Sequence, residues 1–269
     1  TLWYARPNNL VRSSSIRQLN TFLAMFAIAA GYIIYRIGVI GWTIGELSTE
    51  LMNNPFLKYE SGRLVPFSLS EHIASVAYGL YYDLRLLLIP HPLVHDYYPR
   101  QFDLIQWWHP LSLVGIICSA FFLGFGLFGM ARRSIRAYAA LFYCLSLSVT
   151  SNTFFPIGTH LSERFLFIPS IAFCLFIVWS LMDSRFDVKR FIIPFLAAYT
   201  VVLVILTVWR TPVWHDNFSL FMTDVETSSR SAKLQNAAAG VLLDKYGRLS
   251  FEEAKPYLIK ALNHVDTAL

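Results

Sequence analysis

Five apolar runs, each about long enough to cross a bilayer, constrain this chain more than any other feature: residues 19–43, 110–131, 135–155, 165–182 and 191–209. A membrane-crossing helix needs roughly 20 apolar residues, because no water is present to satisfy its backbone polar groups. Composition agrees, with 55% of the 269 residues hydrophobic and 14% charged, against about 25% charged in a soluble domain. The mean hydropathy is +0.48. The expected fold class is all-α, a polytopic helical membrane protein.

The formal charge is +5, but the basic residues gather at the ends of the spans. Arg132, Arg133 and Arg136 separate the second and third, and Arg185, Lys189 and Arg190 the fourth and fifth. Arg6, Arg12 and Arg17 precede the first. The positive-inside rule places all three clusters in the cytoplasm. Five crossings then leave residues 44–109, the Pro156–Arg164 loop and everything after Arg210 on the outer side. No Gly-rich phosphate loop, zinc-type cysteine spacing or nucleic-acid motif is present, so no nucleic-acid partner is implied. Cys118, Cys144 and Cys174 fall inside spans and suggest no disulfide framework. The opening TLWYARPNNLVR has no initiator Met and does not read as a signal peptide. The expectation is a piece of a longer protein.

Residues 71–90 read as a helix carrying Asp83 and Arg85 near its middle and ending at Pro90. Counting it as a span would reverse the sides of two basic loops. It is expected to lie in the outer interface, or to form a re-entrant hairpin. Tyr78, Tyr81, Tyr82, Trp107 and Trp108 then suit an aromatic belt at that level.

The transmembrane region thus occupies 1–210, and residues 211–230 form a junction. Asn217–Phe218–Ser219 there matches a glycosylation acceptor, a pattern short enough to recur by chance. From 231 to 269 a small-residue helix, a turn at Tyr246–Gly247–Arg248 and a second helix follow. Ala238, Gly240, Leu243, Ala254, Tyr257 and Ala261 match tetratricopeptide spacing, whose unit is about 34 residues. About three such units are needed for stability, so further repeats are expected beyond Leu269. The other reading is a single capping hairpin.

The outer loop PIGTHLSERFLFIPS (156–170) sets His160, Glu163 and Arg164 beside a bilayer, where charge is costly unless paired or hydrated. If a helix begins there, His160 and Arg164 share a face. A helix start with an Arg suits a phosphate group. The alternative is that Glu163 and Arg164 simply pair and anchor a helix end. In LLLIPHPLVHDYYPRQF (86–102), His91, His95 and Asp96 look superficially like metal ligands. Pro90 and Pro92 break the helix that would align them, so no metal is assigned and packing is the favoured reading. Arg100 and the Asp83–Arg85 pair would line the same outer cavity. Arg36, inside the first span, needs a partner or a snorkelling path.

Four stretches in order, NNPFLKYES (53–61), YYDLRLLLIPHPLVHDYYPRQF, GTHLSERFLFIPS and TPVWHDNFSLF running into the repeat-like tail, resemble the transmembrane and tetratricopeptide-repeat O-mannosyltransferases, particularly bacterial ones. The resemblance covers nearly everything from Asn53 onward. It implies an integral membrane glycosyltransferase of the GT-C type. Such an enzyme takes a mannose-like sugar from a polyprenyl-phosphate carrier in the membrane lipid and attaches it, on the non-cytoplasmic face, to protein Ser or Thr. The repeats would hold the acceptor or a partner polypeptide. The setting implied is the bacterial inner membrane with periplasmic repeats, or alternatively the endoplasmic reticulum with lumenal ones. That family keeps its acidic catalytic pair in the first outer loop of the full protein. Glu46 and Glu50 here do not resemble it, so the catalytic loop is expected upstream of Thr1. Any divalent cation would belong to that loop. Arg164 would neutralise the carrier phosphate, His160 would assist by hydrogen bonding or protonation, and Glu163 would orient Arg164.

Two rival classes remain at this level. A non-catalytic membrane anchor displaying tetratricopeptide repeats explains the tail but not five spans with outer charges. A transporter should show internal hydrophobic repeats or several midplane charges, and Arg36 is the one plausible midplane charge.

Overall fold

The computed structural model describes residues 11–41, 49–50, 53–97, 101–103, 105–154, 156–182 and 189–268. Two units divide it, residues 1–46 and 47–269. The first contains Val11–Ile40 (α1), whose apolar stretch Asn20–Val39 has no buried residue. A helix apolar all round and unpacked is suited to lipid.

The second unit begins with a small hairpin that the all-helical reading did not anticipate. Leu57–Glu60 (β1) and Arg63–Pro66 (β2) pair antiparallel, with Glu60 opposite Arg63. Ser61 and Gly62 join them at φ +52° and +78°, the left-handed pair that a tight hairpin turn requires. Leu69–Leu88 (α2) then starts with a capping box. Ser68 Oγ accepts the Glu71 N–H, and Glu71 Oε2 accepts the Ser68 N–H at 2.7 Å. Lys58 of β1 reaches the other carboxylate oxygen at 2.7 Å. That ammonium and the two Ser68 hydrogen bonds hold the Glu71 carboxyl at about 2. The hairpin is thereby tied to the first turn of α2.

Pro110–Met130 (α3), Ile135–Ser148 (α4) and Phe167–Met182 (α5) pack in succession, and α2 lies along α3. Glycines on α3 set the spacing. A Cβ at Gly115 would fall 2.1 Å from the Ala77 carbonyl oxygen of α2, and one at Gly126 would fall 2.6 Å from Leu141 Cγ of α4. Close approach through small residues is how helices associate where lipid removes the hydrophobic drive between them. Phe122, Tyr143, Phe173 and Phe176 fill the centre, with Phe122 rings 4.8 Å from Tyr143 and 5.0 Å from Phe176.

Among the described residues, Asn20–Val39, Pro110–Met130, Glu163–Met182 and Arg190–Trp214 are long and apolar enough to cross a membrane. The run 135–155 is shorter as a helix than its sequence suggests. The 14 residues of α4 extend about 21 Å at 1.5 Å per residue, less than the roughly 30 Å of a hydrocarbon core. It ends early because residues 149–154 turn away, with Asn152 at φ +56°.

Lys189–Arg210 (α6) leads through a 3₁₀ turn, Thr211–Trp214, into Asn217–Thr227 (α7), Ala232–Tyr246 (α8) and Phe251–Ala268 (α9). Asp216 caps α7 by accepting the Ser219 N–H at 2.7 Å. Helices α8 and α9 form a hairpin closed by Ala239, Leu242 and Ala261, with Tyr246 stacked on Tyr257 at 3.6 Å. Of the residues matching repeat spacing, Ala238, Ala254 and Ala261 are buried, whereas Gly240 and Leu243 face outward.

Candidate functional site

The connection 149–166 and the loop after α2 meet over α7. Asn152, buried and left-handed, organises the first of these. Its amide donates to the carbonyls of Thr159 and His160 at 2.9 and 3.2 Å, and its oxygen accepts the Ile157 N–H at 2.9 Å. Asn tolerates that backbone conformation better than most residues. Gly158 (φ +76°) lets the loop pass close to Asn53, whose carbonyl oxygen would lie 3.2 Å from a Cβ there. Phe56, from the NNPF stretch, fills the space beside it, stacked on His72 at 4.1 Å.

His160 points into this packing. Its Nε2 lies 3.0 Å from the Ser75 carbonyl of α2, and its ring meets Phe56 and Phe102 edgewise at 6.2 and 5.9 Å. Burial lowers its pKa against the opposing pull of the Ser75 hydrogen bond, so the imidazole is neutral. The shared helix face expected for His160 and Arg164 does not form. Residues 160–162 are not helical, and the next helix opens only with a 3₁₀ turn at Glu163–Leu166.

Glu163 turns toward the other loop. Its Oε1 accepts the Tyr97 hydroxyl at 2.8 Å and the Val94 N–H. Burial and the Glu163 carboxylate both push the Tyr97 phenol upward, so it stays a donor. The expected orienting bond from Glu163 to Arg164 is therefore replaced by a clamp on the 90–97 loop. Arg164 is exposed and makes no ion pair among the described residues. It lines a groove of about 630 Å³ whose walls include Leu86, Leu87, Leu93, Leu166 and Phe167, with Ser162, Ser170 and Thr207 supplying hydroxyls.

His95 and Asp96 each have a basic or acidic partner from the tail. The His95 N–H donates to Asp224 Oδ2 at 2.8 Å, and its ring Nδ1 lies 3.1 Å from the same oxygen. Arg210 approaches Asp224 Oδ1 at 2.6 Å. Burial alone would raise Asp224, but the two His95 contacts and Arg210 outweigh it and hold the carboxyl below its ordinary value. Asp96 pairs with Lys233 of α8 at 3.2 Å. Ser162 Oγ donates to the His95 carbonyl at 3.0 Å, joining the two loops directly.

The remaining sequence candidates are dispersed. Asp83 and Arg85 do not pair: Asp83 is buried in α2, while Arg85 donates to the His91 carbonyl at 3.0 Å and covers the Tyr82 ring at 5.1 Å. They point apart because residues two positions apart on a helix do not face each other. The His91 ring lies 6.2 Å from Trp209. Arg36 lies on α1 and so falls outside the unit that builds the groove. Glu50 accepts the Asn53 side-chain amide at 2.8 Å. Arg100 and Glu46 lie outside the described residues.

Tyr97, Asn152, Asp224 and Lys233 build the site without having been singled out in the sequence. Asp224 did carry a signal, being four residues from the buried Leu220 and adjacent to the buried Val225 on α7. A carboxylate on an apolar face calls for a partner.

Comparison with known proteins gives consistent relatives. The chain is 26% identical over 249 residues to mouse "Protein O-mannosyl-transferase TMTC1", covering 84% of this chain and 25% of the relative. It is 28% identical over 202 residues to fruit-fly (Drosophila melanogaster) "Protein O-mannosyl-transferase Tmtc3", covering 71% and 22%. Human "Protein O-mannosyl-transferase TMTC3" matches at 27% over 185 residues, covering 65% and 20%. The chain thus spans about a quarter or less of the length of these curated relatives. No family model matches the chain, and no solved structure does. The chain is thus similar to the TMTC proteins, whose curated members bear the name protein O-mannosyl-transferase.

Proposed function

We propose that this chain forms the donor-binding part of a GT-C type membrane glycosyltransferase. That enzyme moves a mannose-like sugar from a polyprenyl-phosphate carrier to protein Ser or Thr on the non-cytoplasmic face. The observation that carries the reading is Arg164: an exposed guanidinium, without an ion pair among the described residues, on the lip of a groove walled by leucines and Phe167. An isoprenoid phosphate is amphiphilic in the same way, with a chain for the apolar walls and an anion for the arginine.

The chemistry assigned to this region is charge stabilisation. As the bond between sugar and carrier breaks, negative charge grows on the departing phosphate. A guanidinium already in place lowers that barrier without reorganisation. Glu163, bonded to Tyr97 and the Val94 backbone, holds the 90–97 loop against the groove. His160 anchors the 156–164 loop to α2 as a neutral ring and takes no direct part. The Arg132–Arg133 turn lies at the end of the α3–α4 pair away from this loop, so a cytoplasmic basic turn puts Arg164 at the outer surface. The α8–α9 hairpin, read as one tetratricopeptide-like repeat, would then offer its surface to the acceptor polypeptide on that same side.

The test is sugar transfer by membranes containing this chain joined to the upstream acidic loop that the resemblance implies, supplied with a polyprenyl-phosphate mannose donor and an acceptor peptide. Arg164→Ala should lower turnover by about 100-fold or more, as removal of a transition-state charge stabiliser does, with membrane abundance intact. Arg164→Lys should recover part of it. Full activity of Arg164→Ala would contradict the role given to Arg164, and no transfer dependent on the wild-type protein would favour an anchor that only displays its repeat.

A further inference from the structure

Helix α2 presents a second face, lined by residues other than those of the Arg164 groove. Tyr78, Tyr81, Tyr82 and Arg85 recur at helical spacing, so they lie along one stripe. That stripe does not simply face outward. The Tyr78 ring packs 5.2 Å from Phe102, and Tyr82 lies 5.3 Å from Tyr97. Between these rings and the end of α7 is a cavity of about 300 Å³, at the small end of the roughly 300–1,000 Å³ usual for small-molecule sites.

We infer that this cavity binds a single neutral pyranose ring. Three observations point to that class. Tyr78, Tyr81, Tyr82 and Tyr97 all line it; the first three offer ring faces for the C–H side of a sugar and phenol groups for its hydroxyls, while the Tyr97 hydroxyl is bonded to Glu163. Gln101, on the rim, uses its Oε1 to accept the Arg230 N–H at 3.2 Å, which leaves its amide NH₂ to donate. Ser228, also in the lining, is 1% exposed and its Oγ has no hydrogen-bond partner among the described residues. A buried hydroxyl without a partner costs free energy unless something bonds to it.

Arg85 is the one cation in this lining, and it is already engaged by the His91 carbonyl and the Tyr82 face. The phenols, the Gln101 amide and the Ser228 hydroxyl outnumber this one cation, which favours a hydroxyl-rich ligand. No residue of this lining belongs to the Arg164 groove. The two cavities are joined through one hydrogen bond, Tyr97 to Glu163 at 2.8 Å. A sugar held here is thus next to, and separate from, the groove assigned to the carrier phosphate. The inference adds to that reading, but fails separately from it, because a free glycoside has no phosphate to meet Arg164.

The probe is methyl α-mannopyranoside, followed by saturation-transfer NMR on the protein in lipid nanodiscs. Saturable binding is expected in the wild type, weakened about tenfold or more in Tyr81→Ala. Tyr81→Phe and Ser228→Ala, which each remove one hydroxyl and leave the packing intact, should weaken it about three- to tenfold. Thermal unfolding confirms that each variant is folded. No saturable transfer to wild-type protein at tens of millimolar glycoside overturns the inference. Displacement of the glycoside by inorganic phosphate overturns it, and so does binding that folded Tyr81→Phe and Ser228→Ala variants retain undiminished.

Discussion

Arg210, the last residue of α6, sets a guanidinium nitrogen 2.6 Å from Asp224 Oδ1 in α7, while His95 brings its backbone N–H to the other oxygen at 2.8 Å. The end of an apolar helix, the loop after α2 and the start of the tail thus converge on one carboxylate that is 0% exposed. Asp224→Asn preserves shape and removes the charge, leaving Arg210 without its counter-ion. Breaking a buried pair from one side costs about 3–5 kcal/mol. Asp103→Asn, whose pair with Arg230 is exposed and screened by solvent, should shift unfolding far less. Thermal unfolding in detergent separates the two, and equal shifts would contradict a central role for Asp224.

The capping box of α2 carries a pH dependence of known sign. The Lys58 ammonium and the Ser68 hydrogen bonds hold Glu71 at about 2, below the ordinary 4.5 of a glutamate. A depressed carboxyl contributes stability that is complete above the unfolded value and is lost as pH falls through the folded one. Unfolding followed at falling pH should therefore lose this contribution between about 4.5 and 2 in the wild type. In Glu71→Gln the contribution should already be missing at neutral pH, at a cost of about 1 kcal/mol, with a shallower acid limb. An identical acid limb in both proteins would count against the Lys58–Glu71–Ser68 arrangement.

Two glycines on α3 should respond oppositely to the same change. At Gly115 a methyl would meet the Ala77 backbone oxygen at 2.1 Å, whereas Gly124 has nothing within 4 Å. Gly115→Ala should force α2 away from α3 and destabilise by about 1–3 kcal/mol. Gly124→Ala should be neutral or stabilise by up to about 1 kcal/mol through helix propensity. Comparable losses at both positions would mean that α2 does not lie against α3 at this distance.

Much of this architecture could be read from residue patterning. The apolar runs located α1, α3, α5 and α6, and the 71–90 pattern located α2, because long apolar or amphipathic periods are set locally. The run 135–155 misled because hydropathy registers composition, whereas the helix stops where Asn152 folds back on Thr159 and His160. The β1–β2 hairpin was missed because its strands are four residues each and its turn uses a Ser at positive φ. Arg164 was legible as a charge at the start of an apolar helix, and it is exposed there. The partners of Glu163, His95 and Asp96 were not, since Tyr97, Asp224 and Lys233 reach them across 66, 129 and 137 positions of chain. Adjacency made Glu163–Arg164 look like a pair, and only the tertiary fold could direct Glu163 to the neighbouring loop.

The most direct measurement on the Arg164 groove is photo-crosslinking with a polyprenyl phosphate that carries a diazirine near its first isoprene, followed by peptide mapping. Adducts are expected on 86–95 and 162–170, which with Thr207 and Trp214 wall the groove, and Arg164→Ala should reduce them severalfold. Adducts that avoid both segments, or that persist undiminished without the guanidinium, would contradict a carrier phosphate held at Arg164.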